Sequence, residues 1–341
     1  MRAVARPIPV VLPRGGGSGG APPRPMHDVC TPGRLSVARR RQHPKRETTM
    51  GFSLMRAASL LVVAFGANCT ALAENEKMTA GRIHIEYVAP KNPEHEALYY
   101  QLMLRMSLEK IRAIFEPFRL PRDVTIRTVG CDGERNAWYQ PIDGRPTVTV
   151  CYEYLYELWA HLPTMVTNNG PTPTDALVGQ MLFAFAHEFG HLVFDVYEIP
   201  ILGREEDAAD NFAVFLMLQS RGDGPRLIMG AAWSYHTYIS DWRQKPKATL
   251  PLAAFSSNHG QPEERFYNMQ CIAYGSDPKV YAGLVERGFL PESRAKNCKY
   301  EYDVLKFAFD KQVFPHIDME LAAKVMMMDW LATAQAPRAL R

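Results

Sequence analysis

The chain has 341 residues, 47% of them hydrophobic and 22% charged, enough apolar material to fill a real core in one large domain or two smaller ones. Its formal charge of +3 is set by the first 73 residues, which hold 11 of the 39 Lys and Arg but two of the 36 acids, leaving 28 basic against 34 acidic residues beyond them. A nucleic-acid face needs a surplus of Lys and Arg in the folded part, so this distribution excludes nucleic acid as the partner.

Residues 1 to 49 are rich in Arg, Pro and Gly, with Gly15-Gly16-Gly17-Ser18-Gly19-Gly20 and Arg39-Arg40-Arg41, and show no apolar periodicity. They read as a disordered tail. From Met50 the pattern changes: Arg56 precedes an apolar run from Ala57 to Gly66, and Ala71-Leu72-Ala73 stands just before Glu74. A positive region, a short apolar run and a small-x-small site describe a secretory signal over 50–73, cleaved after Ala73; a translation start at Met50 or Met55 would put it at the N-terminus. The expected product is exported, periplasmic or secreted, with a single domain over 74–341. No later run reaches roughly 18 apolar residues, so no stable membrane span is expected. Nothing in the sequence speaks to an oligomeric state.

Signal removal leaves four cysteines, Cys131, Cys151, Cys271 and Cys298. An even number in an exported chain suggests disulfides, with three connectivities open in principle. The two local pairs are favoured: Cys131 and Cys151 flank a predicted β-hairpin, and Cys271 and Cys298 flank a predicted helix and its return loop. No two of these cysteines are close enough for a zinc knuckle.

The mature part opens with an alternating strand from Ile83 to Val88, and Asn92-Pro93 starts an amphipathic helix running to about Phe115, ended by Pro117 and Pro121. Val124 to Arg127, Ala137 to Tyr139 and Thr147 to Val150 read as strands, the last two joined through Asp143-Gly144. A short helix from Tyr152 to His161 leads to the loop Asn168-Asn169-Gly170-Pro171. Thr172, Pro173 and Asp175 then supply an N-cap, a first-turn proline and a capping-box acid for a central helix extending to about Tyr197. Further helices are predicted at about 204–220, 225–240, 262–274, 278–287 and 318–333.

The central helix reads Met181-Leu182-Phe183-Ala184-Phe185-Ala186-His187-Glu188-Phe189-Gly190-His191-Leu192-Val193-Phe194, apolar on nearly every face except at His-Glu-x-x-His. An ionised carboxylate buried without a partner is costly, so something must compensate. A divalent metal does so: His187 and His191 are spaced i, i+4 on one helical face, within reach of one tetrahedral ion. Glu188 is rotated by about 100° from that line and can serve as the base for the metal's water. Gly190 inside the helix is easiest to explain if another segment approaches closely there.

Catalytic zinc takes a third protein ligand and keeps a fourth position open. A metzincin would have histidine at 197, where this chain has Tyr197. The other common source is a glutamate on the next helix, and Glu205-Glu206-Asp207-Ala208-Ala209-Asp210-Asn211-Phe212-Ala213 follows. Acids suit a helix N-terminus, but Asp210 lies a full turn inside a run that must be buried, where an acid bonded to a zinc-binding imidazole is the better account.

His187 to His191 followed by Glu206-x-x-Ala209-Asp210 resembles the gluzincin peptidase pattern. Cys131-Asp132-Gly133-Glu134-Arg135-Asn136-Ala137-Trp138-Tyr139, Cys151-Tyr152-Glu153, Leu202-Gly203-Arg204-Glu205-Glu206-Asp207 and His259-Gly260 to Arg265-Phe266-Tyr267-Asn268 are similar to a bacterial metallopeptidase family otherwise described as a domain of unknown function, over about residues 80–320. The predicted strands make a small antiparallel sheet ahead of the central His-Glu-x-x-His helix and a mostly helical C-terminal half, an α+β arrangement that the resemblance makes zincin-like. The resemblance also implies Zn2+ held by His187, His191 and Glu206, Asp210 supporting a ligand histidine, and a peptide or protein substrate.

Helical phase separates the three adjacent acids. Glu206, Asp210, Ala213 and Met217 share one stripe, whereas Glu205 and Asp207 are displaced by about 100° to either side and should meet solvent. An oxyanion-stabilising group is expected from the C-terminal half, with His259 first and Arg265, Tyr267 and His236 as further candidates. Asn136 to Tyr139 is a candidate edge strand for pairing with an extended substrate. The expected function is a zinc-dependent peptidase of the cell envelope or the exterior; the alternative is a non-catalytic zincin-like module that binds envelope proteins around a structural zinc.

Overall fold

A computed structural model describes residues 81–162, 170–220, 222–243, 256–328 and 331; side chains of 236–243 are not among them. The predicted tail, the signal segment, Asn168, Asn169 and the side chain of His236 lie outside the described residues.

The chain enters on strand β1 (Ile83–Tyr87), turns through a 3-10 segment at Pro93–His95 and forms α1 (Glu96–Leu104) and α2 (Ser107–Phe115) before β2 (Val124–Val129). The single helix expected up to Phe115 is thus two, because Met106 adopts a left-handed backbone, φ 51°, and redirects the chain. β3 (Ala137–Ile142) and β4 (Arg145–Cys151) form the expected hairpin. Asp143 and Gly144 both have positive φ at its tip, 50° and 77°, as a tight hairpin turn requires.

The sheet order is β1-β2-β4-β3. It is mixed, not antiparallel: β1 pairs β2 and β2 pairs β4 in parallel, and only β3 against β4 runs antiparallel. The helical crossover α1–α2 returns the chain to the same end of the sheet, which is how a parallel neighbour arises. Strand alternation reveals which residues face inward but not strand direction. Val124 and Ile126 of β2 and Val148 and Val150 of β4 are fully buried, and β3 is left as an edge.

Beyond α3 (Tyr152–Ala160) the described fold is helical: α4 (Pro173–Val196), α5 (Glu205–Leu218), α6 (Gly224–Arg243), α7 (Pro262–Ser276), α8 (Gly283–Glu286), α9 (Glu292–Gln312) and α10 (Met319–Met326). The predicted capping box opens α4: Thr172 Oγ1 accepts from the amide of Asp175, whose Oδ2 accepts from that of Thr172. Arg226 of α6 donates to the other Asp175 oxygen at 2.7 Å, so one buried acid caps a helix and joins it to its neighbour. α4 and α6 cross with little room. A β-carbon on Gly230 would lie 1.8 Å from the carbonyl oxygen of Asp175.

α4 is long and apolar enough to cross a membrane by length and composition, but 72% of its most apolar window is buried inside the protein, as in a core helix. Phe189 stacks on Phe115 at 4.0 Å and meets Phe118 and Phe212, and Phe215 stacks on Phe309 at 4.0 Å, joining α2, α4, α5 and α9 in one aromatic core. The close approach expected at Gly190 is that of Phe212, 3.2 Å from where a β-carbon would be.

α9 is a 21-residue helix that the sequence pattern missed. Its reason is compositional: only Cys298 and Phe309 are buried, so no apolar stripe is visible. Exposed pairs at i, i+4, Lys299–Asp303 and Lys306–Asp310, support it instead. Only Gly283–Glu286 of the segment predicted over 278–287 is α-helical. Both favoured disulfides are present, Cys131–Cys151 and Cys271–Cys298. The second joins helix to helix, α7 to α9, and not a helix to a loop.

Candidate metal centre

Helix α4 presents His187 and His191 one turn apart, and α5, pressed against it through the fully buried Ala209 and Ala213, presents Glu206 to both. His187 Nε2 lies 3.1 Å from Glu206 Oε2 and 3.3 Å from His191 Nε2, and His191 Nε2 lies 3.4 Å from the same oxygen. Zinc–nitrogen bonds of ~2.0–2.1 Å in a tetrahedron set ligand atoms ~3.3–3.4 Å apart. The three atoms therefore have the spacing of three ligands around one ion of that size.

Proton bookkeeping agrees with this fit. Asp210 Oδ1 lies 2.8 Å from His187 Nδ1, and Glu205 Oε1 lies 2.7 Å from His191 Nδ1. Ionised carboxylates only accept hydrogen bonds, so each Nδ1 carries a proton, and each Nε2, which faces Glu206 Oε2, is the nitrogen that would bind a metal once the metal displaces its proton. A carboxylate oxygen meets them there, and such a convergence of donors calls for positive charge. The surroundings already favour it at His187: burial opposes the imidazolium, yet hydrogen bonds with Asp210 and Glu206 outweigh that and raise its pKa to about 9. Burial also opposes charge on Glu206, but hydrogen bonds from His187, His191 and His259 hold its carboxyl far below the usual range.

Glu188 is buried and lines a cleft of about 470 Å³ beside this point. Burial raises its carboxyl above the ordinary range, against the pull of His187 and His191. Asn136–Tyr139 of the β3 edge and its approach form another wall, and His191, Glu206, Asn258 and His259 line the cleft as well. His259 is half exposed, with Nε2 2.9 Å from Glu206 Oε2.

Of the further oxyanion candidates, Arg265 faces elsewhere: Nε and Nη2 donate to the two oxygens of Asp210 at 2.7 and 2.6 Å. Tyr267 packs against the core and does not line the cleft. Glu205 meets solvent as expected, and its exposed carboxylate is in addition the partner of His191 Nδ1, which helical phase alone did not reveal. Asp207 pairs with Arg204 on the surface as expected. Asn258 went unnoticed in the sequence; its Nδ2 donates to Glu206 Oε1 at 3.1 Å and fixes the turn of that carboxylate. Only its position beside His259 hinted at this.

No curated protein and no solved structure matches this chain. Residues 87–311, which hold both His-Glu-x-x-His and the α5 acids, match the family DUF4344, described as "Putative metallopeptidase". The chain belongs to that family.

Proposed function

We propose that this protein is a zinc-dependent, gluzincin-like peptidase that hydrolyses peptide bonds in the cell envelope or outside the cell after removal of the signal at 50–73. One observation carries the reading: the Nε2 atoms of two imidazoles and one carboxylate oxygen converge at 3.1–3.4 Å beside the buried acid Glu188, in a cleft bordered by a sheet edge. His187, His191 and Glu206 would hold zinc, which would supply Lewis acidity toward a peptide carbonyl. Glu188 takes the attacking water's proton and returns it to the leaving amine, a role suited to a carboxyl raised by burial. His259 donates to the developing oxyanion. The β3 edge, paired with β4 alone among the described strands, aligns an extended substrate. The two disulfides fit an oxidising compartment and support export.

A second reading has its own observation. His259 offers a fourth donor close to Glu206, and a structural zinc takes four protein ligands, as a non-catalytic module binding envelope proteins would use. Glu188→Gln separates the two. For an enzyme, hydrolysis of an unfolded protein substrate falls by about 10²- to 10⁴-fold while zinc content stays at one per chain. Zinc-loaded wild type that cleaves nothing leaves the binding module.

A further inference from the structure

We propose that Arg265 is a positioning residue of the metal centre, holding Asp210 in the one orientation that keeps the Nδ1 proton of His187 in place and its Nε2 lone pair on the metal. The inference rests on the metal-ligand reading above but not on peptidase activity. Arg265 stands in the first turns of α7, a helix that supplies no metal ligand, yet its fork closes on both Asp210 oxygens at 2.7 and 2.6 Å. Oδ1 is shared: it accepts from Arg265 Nη2 on one side and from His187 Nδ1, at 2.8 Å, on the other. Two parallel hydrogen bonds fix the plane of a carboxylate as well as its position, which a single contact cannot do.

The guanidinium is itself held, with its carbon 5.1 Å from the Tyr235 ring centre and 5.9 Å from that of Phe183. Phe183 lies one turn before His187 on α4, so the fork is anchored to the same helix as the ligand it serves. Arg265 and Asp210 also line a second cavity, about 560 Å³, between α5, α7 and α9. Without the guanidinium, water from that side competes with His187 for Oδ1, and the carboxylate is free to turn. A carboxylate turned away lets Nδ1 lose its fixed proton, and the imidazole no longer presents Nε2 to the metal in one tautomer.

The test measures zinc affinity by chelator competition, the visible absorption of the Co2+-loaded protein and the unfolding midpoint of the metal-stripped protein, for wild type, Arg265→Met, Arg265→Lys, Asp210→Asn and the double variant. Arg265→Met should lower zinc affinity by about tenfold or more and alter the Co2+ spectrum. Arg265→Lys, which keeps charge but not the fork, should fall between it and wild type and carries the test if the methionine variant does not fold. Because Arg265 acts through Asp210, adding Arg265→Met to Asp210→Asn should cost little more than Asp210→Asn alone. Arg294→Met breaks another arginine fork, to Glu301 on α9, and should change the unfolding midpoint without changing zinc affinity. Wild-type zinc affinity and Co2+ spectrum in folded Arg265 variants, or additive losses in the double variant, would overturn the proposal. Wild type that takes up zinc and cleaves nothing removes the peptidase reading and leaves this one standing; wild type that takes up no zinc overturns both.

Discussion

Replacing each α5 acid with alanine should grade zinc affinity in the order the contacts dictate. Glu206 gives its Oε2 to the point shared by His187 Nε2 and His191 Nε2, so Glu206→Ala removes one of the three proposed ligands and the only anionic one. Changing a group that touches only a ligand costs about 10- to 100-fold, and loss of a ligand should exceed that, more than about 2.8 kcal/mol at about 1.4 kcal/mol per tenfold. Asp210→Ala should fall within the 10- to 100-fold range and also lower stability, because it strands the mostly buried Arg265 without its partner. Glu205→Ala should cost about tenfold at most: its carboxylate is 56% exposed, and water can take its place on His191 Nδ1. Asp207→Ala should be silent, as it loses only an exposed pair with Arg204. Chelator competition on the purified variants gives the affinities, and circular dichroism of the metal-stripped forms checks folding. If Glu205→Ala or Asp207→Ala loses more zinc affinity than Glu206→Ala, the assignment of the third ligand is wrong.

Zinc added at about 100 times its dissociation constant should stabilise the protein by about 2.7 kcal/mol and chelation should reverse this, read as a shift in thermal midpoint; an unchanged midpoint contradicts a site formed only in the folded state. Gly230→Ala forces a β-carbon into the carbonyl of Asp175 where α4 and α6 cross, and should destabilise by about 3 kcal/mol or more in urea. Each disulfide closes a loop, 20 and 27 residues apart in sequence, and replacing either pair by serine should cost about 3 kcal/mol. Non-reducing peptide maps should recover Cys131 with Cys151 and Cys271 with Cys298; free thiols in the exported protein would argue against both bridges and export.

Features determined within a few turns of chain were legible in the sequence. The His187–His191 spacing is a property of one helix, and so are the Thr172 capping box and the Glu206–Asp210 stripe. The hairpin turn at Asp143-Gly144 is equally local. Strand direction was not legible, because alternation marks a buried face whichever way the neighbour runs. Nor was α9, in which only Cys298 and Phe309 are buried while Tyr300, Val304 and Phe307 face solvent, and whose helix is held by ion pairs and by packing on α7. Around the metal centre the same division holds. The sequence offered the proposed ligands, but Glu205 on His191, Asn258 on Glu206 and the Arg265 fork on Asp210 bring together segments 14 to 55 residues apart, a proximity that only the docking of α5 and α7 on α4 creates.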